Sequence, residues 1–307
     1  MITRRTAAAA IIASTMSGSK IAWAAPTADA EDDQSRAALF YEFIEKPAED
    51  RLRETITSFK LPRAFTFPRD TEKDDKGHSR QGQRFGVDVS HHNGENIRFD
   101  LFRPQGIFFV YMKAGQGRRA DRRFDKNWEA VGRLKGTRKL YRGAYFFLSS
   151  QMGGAEQGGN FAKIIGPLRP NDLPPVIDLE WHVVSGMDQW VGKEGRSIID
   201  EVLACSQAVK EGTGRQPMIY TNASWLNERV PAPSQVARLS GHLIWLADHS
   251  ISALGIESPT IPLGLSHKLW QFTDRAQVSN GYDFALDASI YRGTDDQFRT
   301  DFDVTPL

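Results

Sequence analysis

Two carboxylates one residue apart, Asp178 and Glu180, close an apolar run that is delivered by two prolines: Pro174-Pro175-Val176-Ile177-Asp178-Leu179-Glu180-Trp181. On a β-strand the side chains of residues i and i+2 leave the same face, so both acids point the same way at the strand's C-terminal end. Two acids held that close cannot both ionise freely, and one pKa is expected to rise. This is one route to a general acid that keeps its proton near neutral pH. Taken alone, the run also suits a strand end whose acids cap a helix or pair with arginine. The rest of the chain favours the acid chemistry.

Such acids need elements to hold them. From residue 85 onward, short β-rich runs recur at 85–90, 106–114, 141–148, 174–181, 217–222, 242–248, 268–273 and 286–291. Helical patterns separate the earlier runs. Residues 121–135 open with an acid and carry Phe124, Trp128, Val131 and Leu134. A weaker pattern at 155–165 is thinned by Gly158 and Gly159, and 197–210 sets Ile198, Val202, Cys205 and Val209 on one face before stopping at Gly212 and Gly214. Strands alternating with helices imply a parallel sheet, and eight strands imply a barrel. The later strands follow one another with less helix between them, so an irregular and partly antiparallel second half is expected. The fold class is therefore α/β: a modified TIM-like (β/α) barrel forming a single catalytic domain over residues 85–292.

In such barrels the site forms at the C-terminal ends of the strands. Reading those ends in turn collects Asp88, Lys113, Tyr145, the Asp178/Glu180 pair, Tyr220, Trp245, Trp270 and Asp287, with Asp248 and Gln271 beside them. Acids, tyrosines and tryptophans around one rim suit a sugar, because aromatic faces stack on pyranose rings and carboxylates grip hydroxyls. Singly, each has a plainer reading: Trp245 or Trp270 as core, Lys113 as a buried ion-pair partner of one acid, His91-His92 as loop residues. Their shared placement carries the weight. No His/Cys/Asp cluster stands at ligand spacing, so neither a metal nor a cofactor is expected.

With these residues in place the chain resembles glycoside hydrolase family 25, the Chalaropsis-type lysozymes. The resemblance rests on Phe85-Gly86-Val87-Asp88-Val89-Ser90-x-x-Asn93-Gly94, Lys113-Ala114-x-x-Gly117, Asp121-x-x-Phe124-x-x-Asn127, Gly143-Ala144-Tyr145-x-Phe147 and the acid run itself, in order. It continues through Ile219-Tyr220-Thr221, Leu243-Ile244-Trp245-Leu246-Ala247, Leu269-Trp270-Gln271-Phe272 and Leu286-Asp287. It implies a modified barrel that hydrolyses the β-1,4 bond between N-acetylmuramic acid and N-acetylglucosamine. Glu180 would match the catalytic acid, with Asp178 its neighbour and Asp88 and Asp287 the further acids. Tyr145, Tyr220 and Trp270 would line the sugar cleft, with peptidoglycan glycan strands as the partner. Two positions depart from the family pattern at the expected rim: Gln116 where an acid is common, and Phe146 where a histidine is common. A non-catalytic glycan-binding protein on the same barrel is the alternative from another class. Chitinase-type barrels also end a strand in Asp-x-Glu, but they carry a further Asp where this chain has Val176.

Composition agrees with a soluble globular protein: 307 residues, 40% hydrophobic, 25% charged, formal net charge +1. Nothing in that balance suggests a nucleic-acid partner. The single cysteine, Cys205, excludes an intrachain disulfide and falls on an apolar helix face. Residues 1–24 read as a signal peptide, with basic Arg4-Arg5, a short apolar stretch and the small-x-small pattern Ala22-Trp23-Ala24. Export to the periplasm or the exterior is expected, by the general secretory or the twin-arginine route: Arg4-Arg5 and Lys20 fit the latter, while Ala7 stands where its motif usually has a large apolar residue. No other apolar run is long enough to span a membrane. Residues 25–84 are expected as an N-terminal arm or linker, with one or two short helices inside 31–60, and 293–307 as a C-terminal tail. A monomer is expected.

Overall fold

Alternation along the strands sorts the apolar residues into two layers, and that sorting defines the architecture. The structure, a computed structural model, describes residues 64–74, 77–262 and 265–307. The expected signal peptide and the short helices within 31–60 lie outside the described residues. The strands in chain order are β1 (Thr66–Phe67), β2 (Gln83–Val89), β3 (Ile107–Gln116), β4 (Arg119–Ala120), β5 (Tyr141–Phe147), β6 (Val176–Asp178), β7 (Val183–Val184), β8 (Met187–Asp188), β9 (Met218–Asn222), β10 (Ile244–Ala247), β11 (His267–Val278) and β12 (Leu286–Arg292). The helices are α1 (Arg69–Glu72), α2 (Phe124–Gly132), α3 (Gly154–Ile165), α4 (Gly195–Thr213), α5 (Ala223–Arg229), α6 (Pro233–Val236), α7 (Ile251–Ile256) and α8 (Asp295–Phe302).

Each of the expected β-runs contains a strand. Neighbours pair in the order β11-β10-β9-β6-β5-β3-β2-β12, and β11 also pairs with β12, which closes a ring of eight. The pairings from β2 round to β11 are parallel; β12 is antiparallel to both β11 and β2. The antiparallel, helix-poor part of the barrel therefore falls in the second half, as the spacing of the later strands indicates. The run 174–181 keeps only Val176–Asp178 as strand. Pro174 and Pro175 have no N–H to give a ladder. After the bond from Leu179 N to Tyr220 O, 2.9 Å, the chain turns away.

Inside the ring, rings and aliphatic side chains fill the space: Phe109, Tyr111, Tyr145, Val176, Tyr220 and Trp245 belong to one buried cluster. This is a packed interior with no room for a pore. The packing explains Gly86, where an added Cβ would lie 2.1 Å from the Phe109 ring. Residues 293–307, expected as a tail, carry α8, whose Phe298 and Phe302 join the same interior cluster against Phe108, Phe109, Tyr141 and Tyr291. The opposite strand faces, with Val87, Val110, Met112, Ile177 and Ile219, pack outward against Phe124 and Val131 of α2, Phe161 and Ile165 of α3, and the apolar face of α4. Cys205 lies in that outer layer, and burial pushes its thiol up to about 12, which leaves it unreactive.

Part of the expected arm joins the sheet. Thr66 and Phe67 pair in parallel with Gln277 and Val278, and Phe67 is fully buried. Phe65, Phe67, Phe85 and Phe272 form an aromatic cluster with ring centroids 4.9–6.2 Å apart. A two-residue strand is too short to leave a period in the sequence, so only those phenylalanines mark it.

Helix α3 packs on α4 closely enough to require glycine. A Cβ at Gly158 would sit 2.4 Å from the Cys205 carbonyl oxygen and 2.8 Å from Ala208 Cβ. Gly158→Ala gains about 1 kcal/mol of helix propensity yet should be net destabilising, because a backbone oxygen cannot swing aside and overpacking costs about 1–3 kcal/mol. Urea unfolding reads the sign. Gly159→Ala, with open space at its Cβ position, should stabilise.

Candidate active site

The barrel's polar side chains gather where its parallel strands end. Asp88 on β2 and Asp287 on β12 are direct partners in the antiparallel ladder. Like charges placed opposite each other on adjacent strands are destabilising, so the pair is retained against a stability cost. Across the ring, Asp178 on β6 is in register with Tyr220 on β9, and Lys113 on β3 with Tyr145 on β5. Asp178 and Glu180 are each 1% exposed and Asp88 is 5% exposed, while Asp287 is half-buried. The inward parity of the strands thus brings Asp88, Asp178, Asp287, Lys113, Tyr145 and Tyr220 to the same end of the barrel, with Glu180 in the loop directly above β6.

That loop is pinned on several sides. The Trp190 indole N–H donates to the Glu180 carbonyl at 2.9 Å. Beyond it, β7 and β8 form a hairpin whose turn residues Ser185 (φ 51°) and Gly186 (φ 77°) both take positive φ, as two-residue type I′ hairpins require. Asp188 ties the base together by accepting from His182 N (3.0 Å), Trp190 N (3.1 Å) and Arg229 Nε (2.6 Å). The His182 ring accepts from Ser150 N through Nδ1 at 3.2 Å and stands edge-on to Phe147. Met187 and Val191 of this loop are exposed.

A second network fixes Asp88. The Gln271 amide donates from Nε2 to Asp88 Oδ2 at 2.8 Å, while its Oε1 accepts from the Tyr220 hydroxyl at 2.9 Å and lies 3.1 Å from His249 Nε2. Burial pushes the His249 ring below its ordinary pKa against the pull of Asp274, Gln271 and Asp248, and the tautomer with its proton on Nε2 is the one that fits the Gln271 oxygen. Inward-pointing Gln271 follows from the period-two relation to inward Leu269. His249 lies beyond its strand and leaves no such signal in the sequence.

Two of the expected aromatic residues sit elsewhere. Trp245 is inward but deep, packed between Tyr111 and Tyr220 with its N–H on Ser289 Oγ at 3.0 Å. Trp270 faces outward against Phe272, its N–H on the Asp248 carbonyl at 2.8 Å, because Leu269 and Gln271 hold the inward positions. Phe146, expected at the rim, also faces outward and stacks on Phe161. Lys113 Nζ is 3.5 Å from Gln116 Oε1 and 5.4 Å from the Phe147 ring centre. Asp248 caps a turn, accepting from Ser250 N at 3.0 Å and Thr260 N at 2.7 Å. Among the described residues no group of three or more His, Cys, Asp or Glu side chains could hold a metal. No helix among them is long and apolar enough to cross a membrane.

The barrel and the acids gathered at its strand ends define a glycoside hydrolase of the barrel class. The chain belongs to the glycosyl hydrolases family 25, whose model matches residues 87–281, a span that ends before Asp287. It is 29% identical over 215 residues to lysozyme M1 of Streptomyces globisporus, covering 68% of each chain. It is also 29% identical over 226 residues to the N,O-diacetylmuramidase of Arthroderma benhamiae, covering 72% of this chain and 87% of that one. Among solved structures, a bacterial lysozyme from Streptomyces coelicolor superposes with a TM-score of 0.62 at 27% identity, over 73% of this chain and 99% of the other.

The loop after β2 is anchored by Asp121. His91 Nδ1 lies 2.5 Å from Asp121 Oδ2, and the backbone N–H groups of His91 and Arg123 donate to the carboxylate at 3.1 and 2.8 Å. Burial alone would raise this carboxyl, but those bonds outweigh it and hold the group below the usual carboxylate range. A folded-state pKa below the unfolded one contributes stability above about pH 4 that is lost as pH falls through the folded value. The stability gap between the wild type and Asp121→Asn should therefore be wide at pH 7 and shrink on acidification. Denaturant unfolding at several pH values between these limits measures it.

Proposed function

We propose that this protein is an exported muramidase. It cleaves the β-1,4 bond between N-acetylmuramic acid and N-acetylglucosamine in peptidoglycan, and residues 85–292 form its catalytic unit. The observation that carries the reading is the convergence of Asp88, Asp178, Glu180 and Asp287 at one end of a family 25 barrel whose interior is otherwise aromatic and aliphatic. The names of its relatives, a lysozyme and an N,O-diacetylmuramidase, support the substrate class. The basic, apolar and small-x-small order of residues 1–24 supports export.

Breaking a glycosidic bond needs a proton on the leaving oxygen and stabilisation of positive charge at the anomeric carbon. Glu180 suits the first task. Its near-complete burial disfavours the carboxylate, and the neighbouring Asp178 charge disfavours it further, so it holds a proton at higher pH than a free glutamic acid. The aspartates supply the second task. They stabilise the oxocarbenium-like state or orient the substrate's own 2-acetamido group for attack, and we favour the latter, substrate-assisted route. Tyr145 and Tyr220 contact the sugar from the floor of the site.

Glu180→Gln should lower turnover of purified cell wall by about 10²–10⁴-fold, and Asp178→Asn should lower it and flatten the acidic limb of the rate–pH profile. Release of reducing ends, scored with wild type beside each variant, is the measurement. Wild-type protein that sediments with the wall and releases nothing would mark a glycan-binding protein instead. Nuclear magnetic resonance of the first-formed product should show retained β configuration. An initial α product would mean direct attack by water with an aspartate as base.

A further inference from the structure

We propose that Gln271 is a positioning residue for Asp88: its side-chain amide, its oxygen met by Tyr220 and His249, hands an N–H to the Asp88 carboxylate and keeps that group charged and fixed at the barrel mouth. The inference rests on the reading of Asp88 as a supporting acid in the proposed muramidase.

An amide side chain can turn over, exchanging its donor and acceptor ends. Here the ionised Asp88 carboxylate, which can only accept, sets the orientation. The Tyr220 hydroxyl then donates to the Gln271 oxygen, and the His249 Nε2 tautomer that donates is the one that fits beside it. Turning the amide over would set its oxygen against the carboxylate. All four groups are buried, so no solvent would relieve the mismatch. Tyr220 on β9 and His249 past the end of β10 both reach the Gln271 side-chain oxygen.

The consequence falls on the Asp88/Asp287 pair. Two carboxylates in direct register resist being charged together. A donor bond to the ionised form settles the contest in favour of Asp88. The titratable groups at this end of the barrel, among the described residues, are Asp287 on β12, Tyr111 and Lys113 on β3, Asp178 on β6 and Glu180 in the loop after it, with Tyr220 and His249 acting through Gln271. His249 in turn responds to Asp274, Asp248 and Arg275.

Gln271→Met keeps the length of the side chain and removes both polar ends. Gln271→Leu also removes the donor to Asp88 and, like Gln271→Met, adds no charge beside it, so a change in Asp88 titration reads the lost bond alone. In both variants kcat on purified peptidoglycan should fall about 10- to 100-fold with KM little changed. The acidic limb of the kcat/KM profile should move to higher pH, because Asp88 loses the bond that favours its charged form. The carboxyl carbon resonance of Asp88, followed against pH in wild type and Gln271→Met, should show the same upward shift without reference to activity. An unmoved limb and an unmoved titration, with a loss confined to thermal stability, would overturn the proposal and leave Gln271 as packing. A shifted Asp88 titration in a protein whose wild type releases no reducing ends would uphold the positioning role and refute the muramidase reading.

Discussion

Closure of the barrel by a single antiparallel strand is the constraint on which the rest depends. β12 enters between β11 and β2 and pairs with both, and without it the sheet would end in two open edges. The same insertion carries Asp287 to Asp88 and Ser289 to the Trp245 indole, so the strand that completes the fold also completes the polar end of the interior. Running antiparallel, it presents Asp287 near its start, where its parallel neighbours present their last residues. That is why the acids meet at one end although their strands run in opposite directions.

Below them the interior is a stack of rings with few polar atoms, each given a partner: Tyr111 on the Pro174 carbonyl, Trp245 on Ser289, Tyr220 on Gln271. Low polarity under the acids makes each charge at the barrel mouth sensitive to its nearest donor. The Gln271 amide and the pinned loop at Glu180 therefore act in a setting where one hydrogen bond has a large effect. Outside the ring the chain follows packing rules of another kind, with glycine in α3 admitting α4 at backbone distance.

Much of this is written legibly in the chain. The eight strand runs, the longer helices and the inward acids follow from alternation and helical spacing, since each element is long enough to repeat its period. Trp270 shows where that logic fails. In Leu269-Trp270-Gln271-Phe272 both strand faces are buried, so apolar residues occupy both parities and hydrophobicity cannot assign one to the cleft. Phe146, expected at the rim from the family pattern, instead faces outward onto Phe161. Residues 293–307 carried a usable signal, a Thr294/Gln297 capping box ahead of Phe298 and Phe302 at i and i+4, yet their place beneath the barrel depends on a cavity that only the closed ring creates. His249 had no signal, because a loop side chain is positioned by the neighbours it meets.

The closing strand and the helix that follows it come after every other strand of the barrel in the chain. Asp88 and Asp287 are paired in the ladder across nearly the full span of the barrel sequence, a contact of very high sequence separation. A chain halted before β12 holds seven strands with two unsatisfied edges and an interior lacking Phe298 and Phe302. Asp287 therefore reaches Asp88 only when the ring closes, so one pairing completes both the sheet and the polar end of its interior.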